Sequence, residues 1–95
     1  MEMPMKTIAL DYDGTYTRDS DMWDRAIELF KSYGWRVLVV TARRDTEENV
    51  ADVIVPGCSV VFTRLSPKLW FMKEKRGINV DIWIDDDPSA VLNGH

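Results

Sequence analysis

The chain has one cysteine and one histidine among 95 residues, and that scarcity removes much of enzyme chemistry at once. Cys58 alone allows no intramolecular disulfide, and a catalytic thiol would want a histidine partner. The only histidine, His95, is the last residue, which argues against Cys-His or Ser-His catalysis within one chain. Basic excess is missing too: twelve Lys and Arg stand against sixteen Asp and Glu, for a net charge of −4. That balance disfavours a broad nucleic-acid or anionic-membrane footprint but is compatible with a local basic patch. No apolar run reaches membrane-spanning length. The stretch Met1–Lys6 lacks the charged-then-apolar pattern of a secretory leader. A cytoplasmic, reducing setting with no membrane partner is the expectation. Repeats and low-complexity segments are also absent. What remains is an apolar fraction of 45%, enough for a single domain with a modest core.

The chain alternates short apolar runs with longer amphipathic ones, the pattern of βαβ units and a parallel sheet. Strands are predicted over Thr7–Leu10, Trp35–Val40, Ser59–Thr63 and Val80–Ile84. The first helix is expected over Ser20–Tyr33, with Trp23, Ala26, Ile27 and Phe30 on one face and Gly34 as its stop. A second runs from Thr46 to Val53, where Asp45 and Glu48 have capping-box spacing. The third has Ser66 at the N-cap, Pro67 at the first helical position and Gly77 after its end. The last seven residues allow one helical turn.

Each strand ends in polar groups. Ile8-Ala9-Leu10 runs into Asp11-Tyr12-Asp13-Gly14-Thr15, two carboxylates at i and i+2 that a regular strand would place on one face. Paired anions raise each other's pKa and require a cation or a shared proton, although Asp-x-Asp-Gly is also an ordinary turn sequence. The second strand ends in Thr41-Ala42-Arg43-Arg44, and the fourth in Asp85-Asp86-Asp87-Pro88. Lys68 sits in the first turn of its helix, where positive charge opposes the helix dipole and suggests a compensating anion. Ligands of open parallel sheets bind beyond the carboxyl ends of the strands. With strand one central, Asp11, Asp13, Thr41 and Asp85/Asp86 converge there, and Lys68 reaches in from helix three. Carboxylate oxygens suit Mg²⁺, which commonly shares a phosphate ligand with the protein. Phosphoryl chemistry is the economical reading.

At this point the residues resemble a known family. Asp11-Tyr12-Asp13-Gly14-Thr15, the strand ending in Thr41, Lys68 heading a helix and the Asp85-Asp86 pair look like the four motifs of the haloacid dehalogenase (HAD) phosphohydrolases, in order. The likeness covers nearly the whole chain, and it extends to the very small HAD-like proteins of some bacteriophages. It implies a three-layer α/β Rossmann-like core with a reduced, four-stranded parallel sheet in the order 3-2-1-4 and no cap domain. It further implies Asp11 as nucleophile and Asp13 as general acid and base, with the Asp13 backbone carbonyl on the metal. Thr41 would hold the phosphoryl group, Lys68 would neutralise charge, and Asp86 with Asp11 would ligate Mg²⁺, assisted by Asp85. The further acid that many relatives carry beyond the fourth motif has no counterpart after Asp87, and the usual fifth strand and final helix are not seen. So truncated a sheet suggests a homo-oligomer.

Only about twenty residues separate Thr15 from the second strand, so the site is expected to be open. Arg43 and Arg64, with Ala42, are the remaining substrate-binding candidates. An open site suits a phosphorylated small molecule, a nucleotide or a nucleic-acid end. Two other readings stand beside this one. Phosphoacceptor receiver modules use similar groups, but they place the acceptor aspartate on the third strand, which here ends in Thr63-Arg64. A degenerate HAD-like domain would bind nucleotide or a protein partner without turnover.

Overall fold

In the computed structural model, residues 5–94 are described; Met1–Pro4 and His95, on which the leader and histidine arguments rest, lie outside them. Four strands, β1 (Thr7–Leu10), β2 (Arg36–Thr41), β3 (Ser59–Phe62) and β4 (Ile82–Ile84), form one all-parallel sheet in the order β3-β2-β1-β4. The α/β class and this strand order match the sequence expectation. Between the strands lie a single 3-10 turn (Tyr16–Arg18) and α1 (Ser20–Ser32), then α2 (Glu47–Asp52), then α3 (Lys68–Trp70), which continues as a wider π-type turn over Phe71–Lys75. A short α4 (Pro88–Leu92) closes the described chain. No helix among the described residues is long and apolar enough to cross a membrane.

The alternation of side chains along β1 and β2 divides the core into two layers. Ile8, Leu10, Val37 and Val39 face one side, where Ile27 of α1 is buried and Trp23 and Phe30 pack against the cluster. Ala9, Leu38, Val40 and Val61 face the other, against Met72 of the π-type turn. Both central strands are therefore covered on two faces, which is why they read as unbroken apolar runs. β1 pairs in register with Arg36–Val39 on one side and with Ile82–Ile84 on the other. That places the residues following β1 and β4 side by side at the carboxyl edge.

The structure corrects three local expectations. Pro67, not Ser66, is the N-cap of α3, and Lys68 is its first helical residue. The reason lies upstream: Arg64 and Leu65 both adopt positive φ (54° and 65°), and Ser66 closes that turn by donating to the Thr63 carbonyl. For α2, Thr46 accepts the Asn49 amide at 3.2 Å, so no Asp45–Glu48 capping box forms. Asp45 instead binds Arg64. β4 begins at Ile82 rather than Val80. Asp81 departs from the strand to hold the end of β1, its carboxylate accepting the Thr7 amide at 2.8 Å and its own amide donating to the Thr7 carbonyl at 2.9 Å.

Thr7 is fully buried, so its amide has no water to fall back on. Asp81→Ala is expected to cost about 1–3 kcal/mol in urea unfolding, while Asp81→Asn keeps an acceptor and loses less. Equal midpoints for all three proteins would show that this bond contributes nothing.

Candidate metal and phosphate site

β1 delivers Asp11 to the carboxyl edge of the sheet, where its amide donates to the Ile84 carbonyl at 2.9 Å and its side chain is almost fully buried. The chain then turns sharply. Tyr16 donates back to the Asp11 carbonyl and Thr17 to the Tyr12 carbonyl, with Gly14 at a φ of 82°. A Cβ on Gly14 would stand 2.5 Å from Asp86 Oδ2, so glycine is required there both for its backbone and for the room that Asp86 occupies. The Thr15 hydroxyl bridges the two strand ends, lying 3.1 Å from Asp11 Oδ2 and 3.2 Å from Asp86 Oδ1. It also accepts the Asp86 amide at 3.2 Å. With one proton, this hydroxyl can donate to only one of the two carboxylates at a time.

From the other side Lys68, 1% exposed, extends its ammonium to Asp11 Oδ1 at 2.7 Å and Asp85 Oδ2 at 2.6 Å. This is the anion that a lysine in a first helical turn calls for, supplied twice. Asp85 is further fixed by the Asp87 amide at 2.9 Å, and the Asp87 carboxylate caps α4 at Ser89. Asp11, Asp85 and Asp86 present oxygens that all lie within 4.8 Å of one another. One ammonium for three carboxylates leaves the cluster anionic. Its donors are oxygens only, which suits a hard divalent cation.

The electrostatics agree. Burial pushes Asp11 up to about 6, against the pull of Lys68, and a hydrogen bond shared with Asp86 raises it further. The same shared bond holds Asp86 below its ordinary value. With no metal bound, the two carboxylates share one proton only below about pH 6, carried by Asp11.

Asp13 is brought to the same cavity but points elsewhere. Arg43 grips its carboxylate with two bonds, Nε to Oδ2 at 2.8 Å and Nη2 to Oδ1 at 2.7 Å. The remaining Arg43 nitrogen, Nη1, reaches Asn49 and Asp52 of α2, and the guanidinium lies 5.4 Å from the Tyr12 ring centre. The Asp13 side chain is thus outside the three-carboxylate cluster. Ala42, Arg43, Leu65 and Lys68 join Asp11, Asp13 and Asp85–Asp87 around a cavity of about 380 Å³. Thr41 is buried at the end of β2, its hydroxyl accepting the Arg43 amide at 3.3 Å, and is not part of the lining. Arg64 also lies outside it, paired through two bonds of 2.9 Å with Asp45. Sequence reasoning did not assign roles to Thr15, Leu65 or the Arg43–Asp13 clamp; of these, only Thr15, next to the Asp-x-Asp-Gly turn, carried a signal. No protein family, curated protein or solved structure matches this chain, so the family likeness rests on these residues alone.

A carboxyl raised from 3.8 to about 6 binds a proton in the folded state that the unfolded chain has already lost. Its contribution to stability is full below about pH 4 and disappears as pH rises through about 6; Asp86, shifted downward, contributes stability that is fully present throughout that window and is lost only as pH falls below it. In chelator, stability should therefore fall between pH 4 and 6.5, and Asp11→Asn should flatten that slope. Lys68→Met should cost about 3–5 kcal/mol under the same conditions by leaving buried carboxylates without their cation, and adding Asp11→Asn should recover part of the loss. A slope unaffected by Asp11→Asn would count against the shared proton.

Proposed function

We propose that this chain is a Mg²⁺-dependent phosphomonoesterase of the HAD type, a minimal capless α/β domain that works through an aspartyl-phosphate on Asp11. The observation that carries the reading is the buried Lys68 ammonium joined to Asp11 and Asp85, with Asp86 alongside, at the mouth of an open cavity. A structural ion pair needs one carboxylate; a third, left uncompensated beside a cavity, is costly unless the site holds a ligand.

Asp11, Asp85 and Asp86 would hold Mg²⁺, which would supply charge neutralisation for the attacking carboxylate and the phosphate. The protein's own groups do the rest. Asp11 attacks phosphorus, forming the carboxylate O–P bond while the bond from phosphorus to the leaving oxygen breaks. Lys68 and the Thr15 hydroxyl each hold one Asp11 oxygen, which fixes the carboxylate for attack, and the Lys68 charge stabilises the transferred group. Asp13 gives its proton to the leaving oxygen. It then takes a proton from the water that attacks phosphorus, and the Asp11 O–P bond breaks to release inorganic phosphate. Asp13 stands two residues beyond the nucleophile, but Arg43 holds it as an ion pair. An entering phosphate offers Arg43 a second anion; exchange of Arg43 from Asp13 to the phosphate frees the Asp13 carboxylate, which takes up a proton from solvent before it serves as the acid. Thr41, through the adjacent backbone, shapes the phosphoryl-binding turn at Ala42 and Arg43. The same clamp supports a second reading, a phosphate-binding domain in which Asp13 is never released and no turnover occurs.

Hydrolysis of p-nitrophenyl phosphate with Mg²⁺ separates the two. Asp11→Asn is expected to reduce the rate to background and Asp13→Asn to reduce it by about 10²–10⁴-fold. Chelation should abolish it. Phosphate release that is equal in wild type and Asp11→Asn would leave only the binding reading.

A further inference from the structure

A second cavity, of about 360 Å³, lies beside the first and has the opposite charge. It is lined by Phe62 of β3, Phe71, Lys75 and Arg76 of the helical segment on that side, and the Arg64–Asp45 pair. Three cations face one carboxylate there, in a chain whose net charge is −4. Asp45 engages Arg64 alone, and Lys75 and Arg76 form no ion pair among the described residues. The Lys75 ammonium instead lies 5.5 Å from the ring centre of Trp70, which is 46% exposed. Free cations interleaved with half-buried and exposed rings are the composition of a surface that tracks a phosphodiester backbone and stacks bases.

The two cavities adjoin at consecutive residues. Leu65 lines the carboxylate cavity and Arg64 the basic one, and both residues have left-handed backbones. Their Cα atoms are separated by one peptide unit, roughly 3.8 Å. The basic cavity takes in Phe62, the last residue of the edge strand β3, and Phe71, Lys75 and Arg76 at the two ends of the π-type turn. An acidic catalytic cavity repels a polyanion, so a long anionic substrate needs a cationic anchor close to it.

We propose that this basic, ring-lined cleft binds single-stranded nucleic acid and presents its terminal phosphate to the carboxylate cavity. The substrate class rests on the phosphatase reading; occupancy of the cleft does not. The bases stack on the Phe62, Phe71 and Trp70 side, and Lys75, Arg76 and the outer face of Arg64 follow the phosphates. A mononucleotide reaches only the first cavity and loses these contacts.

Fluorescence anisotropy tests this in Asp11→Asn, where turnover cannot interfere, using labelled ten-nucleotide oligothymidylates bearing a 3′-phosphate, a 5′-phosphate or neither. All three should bind, with a salt dependence near the roughly −2 slope set by three cations on a single strand. Lys75→Glu/Arg76→Glu, checked for native thermal unfolding, should weaken binding at least tenfold; Trp70→Ala should weaken it severalfold with the salt slope unchanged. The phosphorylated end that lowers KM in the wild-type protein relative to the mononucleotide identifies the polarity. Absence of binding at low salt, binding indifferent to Lys75→Glu/Arg76→Glu, or displacement by polyglutamate as effective as by oligonucleotide would each overturn the proposal. None of these results bears on p-nitrophenyl phosphate hydrolysis, so the two readings fail separately.

Discussion

The ammonium of Lys68 holds together what the rest of the molecule would otherwise push apart. Asp11 follows the central strand and Asp85 the edge strand next to it, and both side chains are almost wholly excluded from water. Two carboxylates in that position repel each other and lose hydration, a cost of several kcal/mol per ion unless a cation is present with good geometry. Lys68 provides it from a third element, so one side chain ties α3 to the ends of β1 and β4. Every buried side-chain polar atom among the described residues has a partner, which is what permits so charged a centre in so small a core.

Lys68 is in this position because of the backbone before it. Arg64 and Leu65 take left-handed conformations that cost a β-carbon-bearing residue of order 1–2 kcal/mol each. The turn they make brings Leu65 back to donate to the Ala42 carbonyl at 2.8 Å, joining the loops after β2 and β3. It also starts α3 at Lys68, which keeps the lysine at the mouth of the carboxylate cluster. Gly94 closes the same corner: a Cβ there would stand 2.7 Å from the Leu65 carbonyl oxygen. Strain in the loop is thus held by bonds on both sides, and its product is the position of one ammonium.

The same features explain what was legible in the sequence. Asp11, Thr41, Asp85 and Asp86 stand where an apolar run stops against a polar residue, and a buried parallel strand leaves few other places for its end to lie. Lys68 was legible because a cation in a first helical turn is electrostatically misplaced without an anion. The start of α3 was not, because neither Arg nor Leu signals a positive φ; Ser66 and Pro67 resemble a cap, but the turn before them uses Ser66 to close itself. Nor was the partner of Asp13, since Arg43 lies thirty residues away and its reach to α2 depends on tertiary packing. Thr15 falls between. Its place beside the Asp-x-Asp-Gly turn was visible, but the 3.2 Å bridge to Asp86 required the register of β1 against β4.

Charge compensation also distinguishes the two cations at the cavity. Two cations face the carboxylate cavity, and both are already occupied: Lys68 by Asp11 and Asp85, Arg43 by Asp13 and Asp52. A phosphate approaching this arrangement meets more negative than positive charge and no vacant donor of full strength. Lys68 is buried and cannot turn away without stranding two carboxylates. Arg43 is partly exposed, its partners are more exposed still, and surface pairs of this kind contribute about 1 kcal/mol or less each. Arg43 is therefore the cation whose partners cost less to exchange. The strong, buried pair defines the shape of the site; the weak, exposed one leaves it able to respond.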